Sequence, residues 1–109
     1  MLAKMTNNKD LGAGPSMLIE AASVVQERGV TYGPMKPNMQ RTADLWSVIL
    51  KQKVRPDQVA MCLIAVKMAR LVASPMHTDS VVDIAGYAAV LRECQHTDDE
   101  NEDPRAKIT

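Results

Sequence analysis

From Pro56 to Cys94 the chain is apolar almost without a break, and only four charges sit well inside the run: Lys67, Arg70, Asp79 and Asp83. Ser74-Pro75-Met76-His77 divides this stretch in two. The pattern predicts a helix over Pro56 to Ala73, with Pro56 and Asp57 suited to its first turn. A second helix follows, capped by Thr78 or Asp79 and running to about Glu93. Upstream, Leu18, Ala21, Ala22 and Val25 form one stripe and Glu20, Gln26, Glu27 and Arg28 the opposite face. That spacing predicts a helix from Ser16, its cap, to Arg28, with Gly29 as the stop. Met39, Ala43, Trp46, Val48, Ile49 and Leu50 predict another from Met39 to Lys51, capped by Asn38, in which Arg41 and Asp44 can pair. Between these two helices, Gly29 to Asn38 holds two glycines and two prolines and is expected to be irregular.

These elements predict an all-α fold: a compact bundle of about four helices, with a flexible arm over residues 1–15, a helical domain over 16–95 and an acidic disordered tail over 96–109. At 109 residues with 46% hydrophobic content the chain is one domain. Few aromatics and eight methionines leave the core to aliphatic side chains, with Trp46 as its expected anchor. The helix from Pro56 is apolar nearly all round, so it is expected to be buried on most sides. A chain of this size can hardly cover it alone, which predicts self-association into a homo-oligomer through Met-rich faces. Gly86 stands mid-helix, a costly position whose use is close approach of another helix or a ligand.

Charge and cysteine usage narrow the function classes. Thirteen basic residues balance thirteen acidic ones, so the chain carries no electrostatic footprint for nucleic acid or an anionic membrane. No segment is apolar enough to span a bilayer, and the first fifteen residues lack a signal-peptide core. Cys62 and Cys94 lack metal-site spacing and read as small apolar residues of a cytoplasmic protein. No Ser-His-Asp or Cys-His arrangement and no Gly-rich phosphate loop is present.

Candidate chemistry centres on the four charges. Lys67 and Arg70 share one helix face, and Asp79 and Asp83 share another. If the two helices fold back antiparallel about the break, the faces meet. Charges are rarely buried unpaired, so the quartet is either a structural ion network or a site. As a site, Asp79 and Asp83 could hold Mg²⁺ and the two cations could hold phosphate. Asp79 can equally be only a cap. His77 is a candidate base or a solvated loop residue, and His96 is expected to be inert.

Four motifs point further. Thr31-Tyr32-Gly33-Pro34 with Asn38, Ala43-Asp44-Leu45-Trp46-Ser47, Lys67-Met68-Ala69-Arg70-Leu71, and His77-Thr78-Asp79-Ser80-Val81-Val82-Asp83-Ile84-Ala85-Gly86-Tyr87-Ala88 together resemble a family of small phage and prophage proteins. The resemblance spans about Leu18 to Leu91. In layout the chain is similar to phage nucleotide-modification-associated domains, and more distantly to all-α nucleoside triphosphate pyrophosphatases of the MazG and dUTPase type. That distant likeness implies four helices, Mg²⁺-dependent hydrolysis and dimers or tetramers. Those enzymes carry Glu-x-x-Glu and Glu-x-x-Asp pairs. Here Lys67-x-x-Arg70 replaces the first, and in the second Ser80 stands for the Glu while Asp83 matches the Asp. The expected function is therefore a phage-type accessory protein that binds a nucleotide or related phosphorylated ligand. Lys67 and Arg70 would hold phosphate, Asp79 and Asp83 would orient them or hold Mg²⁺, and Tyr32 and Tyr87 would line the pocket. The alternatives are a divergent MazG-like pyrophosphatase, and an interaction module or inhibitor of a host protein in which the quartet only holds the fold.

Overall fold

The computed structural model describes residues 11–95. The tail expected over 96–109, with His96, lies outside them, as does all but the end of the expected arm over 1–15. Four helices follow one another: α1 (Ala13–Tyr32), α2 (Met35–Leu50), α3 (Pro56–Ala73) and α4 (Thr78–Gln95). Among the described residues there is no strand, and the all-α bundle is as expected.

The largest departure from expectation lies between α1 and α2. In place of an irregular Gly29–Asn38 loop, α1 continues to Tyr32 and α2 begins at Met35, leaving only Gly33 and Pro34 between them. Proline and glycine signals mark breaks only where the backbone needs them. Pro34 is the residue before α2 and Pro37 lies in its first turn, where no intrahelical N–H is required. Gly29 is passed through, and its carbonyl accepts the Gly33 N–H at 2.9 Å. The break itself belongs to Gly33, at φ 84° and ψ −174°, a region open essentially to glycine alone. Asn38 is not the cap of α2. It sits inside the helix and its Nδ2 donates to the Tyr32 carbonyl at 3.0 Å, satisfying the end of α1. Likewise the N-cap of α1 is Gly12 rather than Ser16, whose N–H donates to the Gly12 carbonyl at 3.1 Å. Arg41 bonds Asn38 instead of Asp44, and Asp44 accepts from Gln40.

The α2–α3 connection is built around one hydroxyl. Ser47 Oγ accepts the Val54 N–H at 2.8 Å and lies 2.8 Å from the Ala43 carbonyl, to which it donates. Val54 is thereby drawn into a core cluster with Ala43 and Val59, against which Met39, Trp46 and Leu63 pack. Trp46 serves as expected, although it is only partly buried. α3 opens as its sequence predicts: Pro56 in the first turn, Arg55 N–H donating to Gln58 Oε1 at 3.0 Å, and Arg55 paired with Asp57 at 3.1 Å. Between α3 and α4 the chain turns at Ser74–His77. The cap of α4 is neither Thr78 nor Asp79 but His77, whose Nδ1 accepts the Ser80 N–H at 3.2 Å and lies 2.8 Å from the Ser80 hydroxyl.

The antiparallel α3–α4 hairpin is the spine. α1 packs on α4, α2 packs on α3 and less on α4, and α1 and α2 scarcely touch. The expectation that α3 is covered on most sides fails: Val59 and Ala60 are buried, but Met61, Val66, Met68 and Val72 are 46–85% exposed. Among the described residues, α4 and α2 supply its main contacts, and they leave its outer side open.

Two substitutions test this account by chemical denaturation. Gly33→Ala is expected to cost about 1–3 kcal/mol, because an alanine there must hold a backbone conformation reserved for glycine. Ser47→Ala strands the Val54 N–H in a buried segment and is expected to cost about 1–3 kcal/mol.

Candidate functional site

Because α1 and α2 lean on different members of the hairpin, a cleft of about 340 Å³ opens between them, and all four helices line it. Each helix offers one stripe at helical spacing: Val24, Arg28 and Tyr32 from α1, Met35 and Met39 from α2, Leu63 and Lys67 from α3, and Val82, Gly86 and Val90 from α4. Asp83 and Tyr87 lie beside the α4 stripe, and Val25, Gly33 and Asn38 complete the walls. A Cβ built on Gly86 would meet Val25 Cγ2 at 3.5 Å, ordinary contact distance. An alanine would therefore fit at this position without displacing α1, and the packing of α1 on α4 does not account for the mid-helix glycine.

The charged quartet divides. Lys67 Nζ and Asp83 Oδ2 meet at 2.9 Å in the cleft wall, with side chains 17% and 30% exposed. This is the pairing that an antiparallel hairpin implies. Arg70 and Asp79 are exposed, do not pair with each other, and do not line the cleft. Of six expected binding residues the structure therefore gathers Tyr32, Lys67, Asp83 and Tyr87. Tyr32 stands 69% exposed and Tyr87 is half-buried.

Arg28 joins them without having been singled out from the sequence. It was read as a wet-side residue, yet it lies one turn before Tyr32, and that i, i+4 spacing was the available signal. Its side chain lines the cleft and is exposed, with no ion pair to any described residue. Asp83 is the single carboxylate among the cleft-lining residues. Among the described residues no three His, Cys, Asp or Glu side chains come together as ligands for a metal ion.

The remaining titratable groups lie apart from this chemistry. His77 does not line the cleft, and it caps α4. Both cysteines are free thiols. Burial first, then the nearby Asp57 and Glu93 carboxylates, push the Cys94 thiol above its usual range, against an opposing pull from Lys36. That disfavours the thiolate a nucleophile needs. Among the described residues, no helix is long and apolar enough to cross a membrane.

Comparison with known sequences supports the phage-protein part of the resemblance and offers nothing for the likeness to nucleotide-modification domains or MazG-type enzymes. The profile of a family described as a domain of unknown function (DUF6378) matches residues 16–95. Gene 55 protein of Mycobacterium phage L5 is 39% identical over 87 residues, which is 78% of this chain and 56% of that protein. Gene 55 protein of Mycobacterium phage D29 is 35% identical over 77 residues, 70% of this chain and 51% of that protein. The chain spans about half the length of these curated relatives. No solved structure matches it.

Measured as a double-mutant cycle, the Lys67–Asp83 pair should show coupling. Asp83→Asn alone leaves a mostly buried ammonium without its partner and is expected to destabilise by about 1–3 kcal/mol. Combining it with Lys67→Met should recover most of that loss, since replacing both partners of a partly buried pair is nearly neutral.

Proposed function

The chain belongs to the DUF6378 family and is similar to two phage proteins, and on that footing we propose that it is a small-molecule binding protein whose four-helix cleft takes a compact phosphorylated ligand, a nucleotide being the leading case. The observation that carries this reading is the composition of the cleft: two cations, Arg28 and Lys67, against the single carboxylate Asp83, with two tyrosines, Tyr32 and Tyr87, and Asn38 among mostly aliphatic walls. Its volume of about 340 Å³ is at the small end of ligand pockets. Valine, leucine and methionine walls favour a planar or apolar portion, and tyrosine rings offer faces for stacking. The Lys67 ammonium has three donors, so it can keep Asp83 and still reach a phosphate oxygen. The Arg28 guanidinium matches phosphate geometry and has no ion pair to a described residue to give up.

The same charge count argues against a triphosphate hydrolase. A Mg²⁺ site built from protein needs more than one carboxylate or a strongly anionic shell, and Asp83 alone, already paired, supplies little. A divergent MazG-like pyrophosphatase, with Asp79 and Asp83 on the metal, is the less favoured enzyme reading. An interaction module acting on a host protein is favoured by a different observation: the exposed Leu45, Val48 and Ile49 on α2, 64–75% accessible. In any of these roles the site of action would be the host cytoplasm.

The deciding experiment is thermal melting against inorganic phosphate and nucleoside mono-, di- and triphosphates, each with and without Mg²⁺. The expected result is a Mg²⁺-independent rise with one nucleotide class. At about a hundred times its Kd a ligand adds roughly 2.7 kcal/mol, several degrees for a domain of this size. Arg28→Ala should leave the unliganded Tm unchanged and remove most of the rise. A flat panel would sink the proposal. A Mg²⁺-dependent rise accompanied by nucleoside monophosphate release would replace it with the enzyme.

A further inference from the structure

The outer side of α3 carries a pattern that no part of the cleft uses. Met61, Ala65, Met68 and Val72 follow one another at intervals of four, three and four residues. That is the spacing of a helix–helix seam packed knobs into holes. All four are exposed, with Met61 at 46%, Met68 at 56% and Val72 at 85%. Cys62 and Ala69 flank the seam, are also exposed, and add no charge.

The rest of the molecule needs this face covered. The buried apolar side chains among the described residues are three alanines and four valines. No leucine, isoleucine, methionine or aromatic side chain is among them. A core of that kind supplies little toward the conformational entropy of ordering the chain. The face itself carries no lysine or arginine to seat it on an anionic membrane.

Its shape selects the occupant. In an antiparallel pair of identical helices, related by a two-fold axis between Ala65 and Met68, each Met68 faces the other copy's Ala65. Each Met61 then faces the other copy's Val72. Met68 meets the small Ala65, Met61 meets Val72, and no like charges oppose, which is compatible with the self-complementarity a two-fold contact requires. We propose that α3 is the interface of a homodimer, formed by antiparallel packing of its outer face against α3 of a second copy. The cleft lies on the other side of the hairpin helix, where Leu63 and Lys67 point, so the dimer leaves it open.

Sedimentation of the whole chain tests the proposal. The expected mass is twice the 12.0 kDa chain, falling to a single chain in Ala65→Glu, with Val30→Glu on α1 as a surface control that stays dimeric. Should Ala65→Glu not fold, the native protein still decides. Cys62 flanks the seam, so its alkylation is expected to slow several-fold as protein concentration rises, and the Tm to rise with it. A native chain that sediments as a monomer through the micromolar range overturns the proposal. So does an Ala65→Glu variant that remains dimeric, or a Cys62 alkylation rate that is independent of concentration.

Discussion

The antiparallel contact of α3 with α4 is the constraint on which the other elements depend. Each remaining helix finds its partner there: α1 on α4, α2 chiefly on α3. Two short devices hold the hairpin. At its closed end His77 caps α4 and engages the buried Ser80 hydroxyl. Farther along, Lys67 and Asp83 join the helices across the cleft wall. The first stabilises by satisfying helix-end N–H groups that would otherwise lack partners. The second fixes the relative level of two helices whose apolar residues alone would tolerate sliding, a registry role for which partly buried ion pairs are suited.

The cleft follows from what α1 and α2 do not do. A two-residue connection would ordinarily lay consecutive helices side by side. Here Gly33 sends the chain away at an angle no other residue adopts easily, and Asn38 ties the end of α1 back across the corner. The two helices diverge onto different members of the hairpin, and the space between them is lined by every helix. Structure and chemistry share residues in this arrangement. Lys67 and Asp83 are both a brace and the polar part of the wall, so the choice between ion network and site is not exclusive.

A thin core and a seam-like outer face on α3 belong to one physical picture. Alanine and valine make up the fully buried interior. Met61, Met68 and Val72 remain outside, where a second surface must meet them for the chain to gain from their burial.

Much of this was legible in the chain itself. Hydrophobic periodicity determined four helices, and α3 matched its expected ends because Pro56, Asp57, Ser74 and Pro75 act locally, within a turn of where they stand. The Lys67–Asp83 pair was readable because a hairpin with a short break brings residues equally far from the break together. Other features depended on where helices pack. Arg70 and Asp79 had the same local spacing as the pair that formed, but lie nearer the hairpin end, where neither α1 nor α2 covers them. Arg28 looked like an ordinary surface residue until α1 turned its face to the cleft. The Gly29–Asn38 stretch was misread because glycine and proline reveal that a chain can break, while the packing of α1 on α4 and of α2 on α3 decides which of them breaks it. Local sequence set the elements, since capping and periodicity act over a few residues. Only the tertiary structure set the cleft, since it is the gap left by contacts between residues far apart in the chain.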